Sequence, residues 1–142
     1  MLIDERLVLE AMCSMWAAGD LEAVLRGFSR DVTFGVTGPA SASSFLKAGR
    51  GRDLLRRRLG DLATEFDVLR FRPLQIVRDD GPWLHCRVDY QYVHRGTGMD
   101  IDGTMRHNCC MIGGRIVRYE VIHDAPRMAA FLDLVRLKTA EA

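Results

Sequence analysis

The sequence lacks a dominant charge: 20 basic residues face 19 acidic ones, for a formal net charge of +1. Without a global positive field, recruitment of nucleic acid or of an anionic membrane is not expected. No apolar run approaches the roughly 18 to 20 residues needed to cross a bilayer. The opening Met-Leu-Ile-Asp-Glu-Arg has neither the basic nor the apolar segment of a secretory leader, so a cytoplasmic location is the expectation. Cysteine is sparse, and Cys13, Cys86, Cys109 and Cys110 show neither CxxC nor Cys/His spacing, which predicts reduced, buried side chains and no metal site. Repeats, low-complexity tracts and linkers are missing too. A chain of 142 residues with 48% apolar and 27% charged residues therefore reads as one globular domain, residues 1–142.

What is present is patterned. From Asp4 to Ala18, Val8, Met12, Met15 and Trp16 recur at helical spacing. Gly19-Asp20 stops that helix and caps another, which turns Leu21, Val24, Leu25 and Phe28 inward. Asp31 to Val36 is short and rich in β-branched residues, as a strand requires. A loop of small residues, Thr37 to Gly51, is long enough to serve as a lid. Leu54, Leu55, Leu59 and Leu62 form the apolar side of a third helix, and the run Arg56-Arg57-Arg58, beside Arg50 and Arg52, reads as its solvated face, with phosphate binding as the alternative.

Strands dominate the second half. Phe66 to Val77 is an edge or bulged strand, because Pro73 has no N–H for a ladder. The turn Arg78-Asp79-Asp80-Gly81 closes it into a hairpin. Leu84, Cys86, Val88, Tyr90, Tyr92 and His94 then alternate with His85, Arg87, Asp89 and Gln91. The next strand sets Met99, Ile101, Gly103, Met105, His107, Cys109 and Met111 against Asp100, Asp102, Thr104, Arg106 and Asn108. Period two with one apolar face marks half-buried strands. After Gly113-Gly114 comes a last strand, Arg115 to His123, and Asp124-Ala125-Pro126 starts a closing helix that buries Met128, Phe131, Leu132 and Val135. Helices early and strands late predict an α+β fold.

This order resembles the NTF2-like superfamily, the SnoaL-like or ketosteroid-isomerase-like cone. The likeness is carried by Ala18-Gly19-Asp20-Leu21-Glu22-Ala23, by Phe28-Ser-Arg-Asp31-Val-Thr-Phe34, by Arg87-Val88-Asp89, and by Gly114-Arg-Ile-Val-Arg-Tyr119 through Asp124. It implies a conical, strongly curved antiparallel sheet with the N-terminal helices packed on its concave face, plus a short C-terminal helix. It further implies an apolar pocket for a small apolar or aromatic ligand, no cofactor, and a homodimer paired through the outer face of the sheet. The superfamily spans isomerases, cyclases, dehydratases and non-enzymatic binders, so the site must be argued from residues.

In ketosteroid isomerases a carboxylate base and a tyrosine occupy positions that fall here on Val36 and Met12, which disfavours that mechanism; the position of their acid falls on Gly103 or His107. Limonene-type epoxide hydrolases carry an Arg-x-Asp pair that Arg87 and Asp89 resemble, but alternation turns both outward, as an ion pair on the outer face. The remaining catalytic candidates are His107, the expected general base on the inward face, with Tyr119 and His123 beside it on the last strand. The family's phrasing turns Val117, Tyr119, Val121 and His123 inward. Met12, Trp16, Phe34, Val36, Leu59, Val88, Tyr90, Tyr92, Met105 and Val121 are the expected substrate-binding residues. Asp124 is explained by helix capping. The expected chemistry is metal-free acid–base catalysis by a lyase or isomerase; the alternative is a binding or assembly module without turnover.

Overall fold

Two aspartates set the start of the chain. The Asp4 carboxylate accepts from the Arg6 amide and opens α1 (Glu5–Ala17), and Asp20 accepts from the Ala23 amide at 3.1 Å and opens α2 (Leu21–Leu25). Gly19, with φ +78°, makes the left-handed turn between them. In this computed structural model the described residues are 4–36 and 47–141, and the expected loop from Thr37 lies largely outside them. The face that α1 buries is Leu9, Met12, Cys13 and Trp16, while Val8 is only partly covered. The stripe is thus rotated from the one that the spacing of Val8, Met12 and Met15 suggested.

The first strand, β1 (Phe28–Val36), begins three residues before the expected position, at Phe28 rather than Asp31. Its start is fixed from the far end of the chain, where the Ile116 amide donates to the Gly27 carbonyl at 2.8 Å. Gly49–Arg50 form β2, and α3 (Arg52–Glu65) follows. Then come β3 (Phe66–Arg78), β4 (Trp83–His94), β5 (Asp100–Ile112) and β6 (Arg115–Ile122).

These strands make one curved sheet in the order β2-β1-β6-β5-β4-β3, unclosed because β2 and β3 are its two edges. Consecutive strands from β3 to β6 pair antiparallel, but β1 runs parallel to β6, so the sheet is mixed rather than wholly antiparallel. Hairpins dictate direction only between sequence neighbours, and β1 meets β6 across most of the chain. Pro73 lies on edge strand β3, next to one of that strand's two register shifts, where its missing N–H breaks no inner ladder. Gly113 and Gly114, with φ of 61° and 78°, form the tight turn into β6.

A bulge in β6 changes which side chains face inward. Cys110 pairs with Arg118 but Met111 pairs with Ile116, so Val117 is an extra residue opposite nothing. Ile116 is therefore fully buried, and Val117, expected inside, is displaced from that face. Beyond the bulge Tyr119 and Val121 keep the expected parity.

The closing helix α4 (Ala125–Ala140) is capped by Asp124 and buries Met128, Phe131, Leu132 and Val135, as its pattern predicts. At 16 residues it is longer than the short helix expected. On the outer face Asp89 pairs with Arg70 at 2.8 Å and Arg72 at 2.9 Å, both from the neighbouring strand. The expected Arg87–Asp89 pair is thus replaced: side chains two apart on one strand share a face but lie farther apart than cross-strand neighbours. Among the described residues no helix is long and apolar enough to cross a membrane.

Candidate functional site

Between the concave face of the sheet and helices α1, α3 and α4 lies a cavity of about 130 Å³. A single ordered water needs roughly 10–15 Å³ on the same measure, so the space suits a small ring compound. Met12 and Trp16 reach it from α1, Phe34 and Val36 from β1, Leu59 from α3, Val88 and Tyr92 from β4, Met105 and His107 from β5. Tyr119, Val121 and His123 complete the expected set from β6 and the residue after it. Trp16 Nε1 donates to the Tyr92 hydroxyl at 3.1 Å, tying α1 to the sheet.

Tyr90 does not line the cavity. It is buried with the parity its strand predicts, but it pairs with Gly103. A Cβ at Gly103 would lie 2.7 Å from Arg127 Nη1 and 3.7 Å from the Tyr90 hydroxyl. The Tyr90 phenol therefore ends beneath the first turn of α4, beside the Arg127 guanidinium. The strand is longer than the cavity, so inward parity alone did not place this residue in it.

The polar centre is His107. Its Nδ1 lies 2.5 Å from the Tyr119 hydroxyl, and its Nε2 is buried with no hydrogen-bond partner. Phe71 meets the imidazole edge-on at 5.5 Å and Phe28 meets the Tyr119 ring edge-on at 5.2 Å, so both rings are held in place. Burial, and secondarily the nearby His123, lowers the His107 pKa to about 4, which makes the ring neutral near pH 7. Burial likewise holds the Tyr119 phenol well above its ordinary value, so it keeps its proton.

These two facts set the direction of the bond. A phenol is a far better donor than a neutral imidazole N–H, and an imidazole nitrogen is the better acceptor. Tyr119 therefore donates to Nδ1, and the ring proton sits on Nε2. In its resting tautomer His107 offers a ligand an N–H donor rather than a basic lone pair, a refinement of the general-base expectation.

His123 supplies the complementary group. His107 pairs with Val121, so His123 lies one diagonal step away on the same side, roughly 7–8 Å between backbones. Both its ring nitrogens are buried without a partner. Burial lowers its pKa, with Asp124 partly opposing, so it too is available as a neutral imidazole.

The structure adds Arg58 to the wall. Within the basic run Arg56 and Arg57 fit the solvated reading, Arg57 exposed and Arg56 bound to Glu22 at 2.9 Å and Asp53 at 2.7 Å. Arg58 instead shares the face of Leu55, Leu59 and Leu62, and its Nε is buried without an acceptor. An unmade bond of that kind costs about 1–3 kcal/mol. Its spacing, three after Leu55 and four before Leu62, was the available signal, hidden by the run of like charges. Cys13, Cys86 and Cys109 also line the cavity as free thiols, and burial pushes the Cys109 thiol up. Among the described residues no three His, Cys, Asp or Glu side chains converge as a metal-ligand set.

Residues 9–119 match the family model described as a SnoaL-like domain. Among solved structures, the chain is similar to an NTF2-like protein of unknown function from Burkholderia pseudomallei, with TM-score 0.79, 16% identity, and 92% of this chain and 98% of that one covered. A candidate isomerase from Rhodopseudomonas palustris gives TM-score 0.78 at 14% identity over 92% and 97% of the two chains. TerC, co-crystallised with polyporic acid, gives 0.78 at 16% identity over 91% and 98%. At these identities the likeness concerns the fold. No protein curated for function matches the sequence.

Proposed function

The chain belongs to the SnoaL-like domain family, and from that premise we propose that it binds a small, largely apolar ring compound bearing a carbonyl group and moves a proton on it. The observation that carries this reading is the buried Tyr119–His107 pair, which leaves a neutral imidazole N–H without a partner in the wall of an apolar cavity.

In this reading Nε2–H of His107 donates to the substrate carbonyl oxygen, with Tyr119 fixing the tautomer. His123, neutral, takes the proton from the carbon next to that carbonyl. The C–H pair becomes the C=C of an enolate, whose oxygen gains the negative charge and the His107 hydrogen bond. Return of the proton to another carbon gives an isomer. Attack of the enolate on a second carbonyl carbon closes a ring, and expulsion of a neighbouring hydroxyl, protonated from His123, gives dehydration. The choice among isomerase, cyclase and dehydratase rests with the substrate. The candidate isomerase among the structural neighbours and the polyporic acid co-crystallised with another support this class of ligand. The same reading pairs two copies through the outer face of the sheet, where Ile122 is exposed.

Apolar side chains at Val36 and Met12 favour a second reading, a binding module without turnover. Tetralone, an apolar ketone with exchangeable protons beside its carbonyl, separates the two. Its deuterium uptake in heavy water, followed by proton NMR, should be accelerated by the protein and slowed roughly 100-fold by His107→Gln or His123→Gln. Line broadening that shows tetralone bound, with uptake at the buffer rate, would establish the binding module instead.

A further inference from the structure

We propose that the natural ligand carries an anionic oxygen group, a carboxylate or an ionised enol, and that Arg58 receives it. This rests on the cavity reading above and adds the ligand's charge and the direction in which it lies.

The argument starts from helical spacing. Residues Leu55, Arg58, Leu59 and Leu62 fall on one face of α3, and all four line the cavity. Three apolar neighbours are natural there and a guanidinium is not, because moving a cation toward an apolar wall costs free energy unless an anion meets it. The other arginines of this helix region with contacts in the structure are occupied. Arg56 holds Glu22 and Asp53, and Arg52 donates from Nη1 to the Phe28 carbonyl at 3.4 Å. Arg58 makes no ion pair among the described residues, and its Nε is buried without an acceptor.

The rest of the wall does not supply a counter-charge. Among the described residues its lining contains no aspartate or glutamate, and its two histidines are held toward their neutral forms. The cavity therefore contains one fixed cation and no fixed anion among the described residues. The unused atom is informative about geometry. Nε–H and the neighbouring Nη–H of a guanidinium project side by side, the spacing that two oxygens of a carboxylate, or the oxygens flanking an ionised enol, accept together. A ligand so held would place its anionic end at α3 and its apolar body toward β4 and β5, leaving a carbonyl for His107.

The test uses three probes on the full chain by isothermal titration near neutral pH: naphthoate as the carboxylate, the hydroxynaphthoquinone lawsone as the ionised enol, and naphthyl methyl ketone as the neutral comparator. At least one anion should bind roughly tenfold or more tighter than the ketone. Arg58→Met should abolish that preference while keeping ketone affinity, which also shows that the variant is folded, and Arg58→Lys should retain part of it. Which anion wins distinguishes the two sources of the charge. Anions that bind no tighter than the ketone, or a preference that survives Arg58→Met, would overturn the proposal and leave the proton-transfer reading standing. Failure of all three probes to bind would overturn the cavity reading and this one with it.

Discussion

Lowering the pH from 8 to 5 should weaken the fold in a way that depends on one imidazole. His107 has a folded pKa of about 4 against 6.5 for the free side chain. Between those values the unfolded chain binds a proton that the folded protein refuses, so stability is complete above about pH 6.5, falls as the pH drops through the window, and stops falling below about pH 4. At pH 5 the loss assigned to His107 is about 2 kcal/mol. Its cause is the cost of charging a ring that has lost its water, with His123 adding repulsion. The assay is urea unfolding followed by far-UV circular dichroism at the two pH values, for the wild type and for His107→Gln. Glutamine can accept from the Tyr119 hydroxyl through its amide oxygen but cannot titrate. The variant should lose about 2 kcal/mol less than the wild type across the interval. Equal losses in the two proteins, or an NMR titration of the His107 ring with a midpoint near the ordinary value, would refute the burial argument. Nitrogen-correlated NMR of the same ring should show the proton on Nε2, and a proton on Nδ1 would refute the assigned direction of the Tyr119 bond.

Tyr119→Phe removes the hydroxyl while keeping the ring against Phe28, which leaves Nδ1 of His107 without its partner. Thermal or urea unfolding should show a loss of about 1–3 kcal/mol, and the ring NMR should show loss of the single fixed tautomer; an unchanged tautomer would mean that another group sets it. Pairing through the outer face predicts a dimeric mass by sedimentation velocity, reduced to the monomer by Ile122→Glu. A monomeric wild type would remove that pairing.

Alternation made β4 and most of β5 legible, because a period of two needs no knowledge of neighbours. It places His107 and Tyr92 on the cavity side. The same rule failed at Val117, since an extra residue in β6 is invisible until its partner strand shows Met111 opposite Ile116. It also misplaced Tyr90, because parity reports a face and not the position along it. The face of α1 was rotated because Val8 and Leu9 are both apolar, and tertiary contact alone decides which of two adjacent side chains turns in. Arg58 was missed for a related reason, as a basic run looks solvated throughout although a helix turns one of its members inward. The parallel pairing of β1 with β6 lay beyond reach, since it joins residues separated by most of the chain.

The unpaired residue in β6 has a consequence for how this protein can change. A strand without such a residue is rigidly phased, so inserting or deleting one position in the Gly113–Gly114 turn would drive every following side chain to the opposite surface. At Val117 the ladder already absorbs one such offset. The stretch from Tyr119 to His123 is therefore insulated from the hairpin that precedes it. A change in the length of the turn can be taken up there while the phenol and imidazole that face the cavity stay in phase with His107, and its left-handed positions still call for glycine.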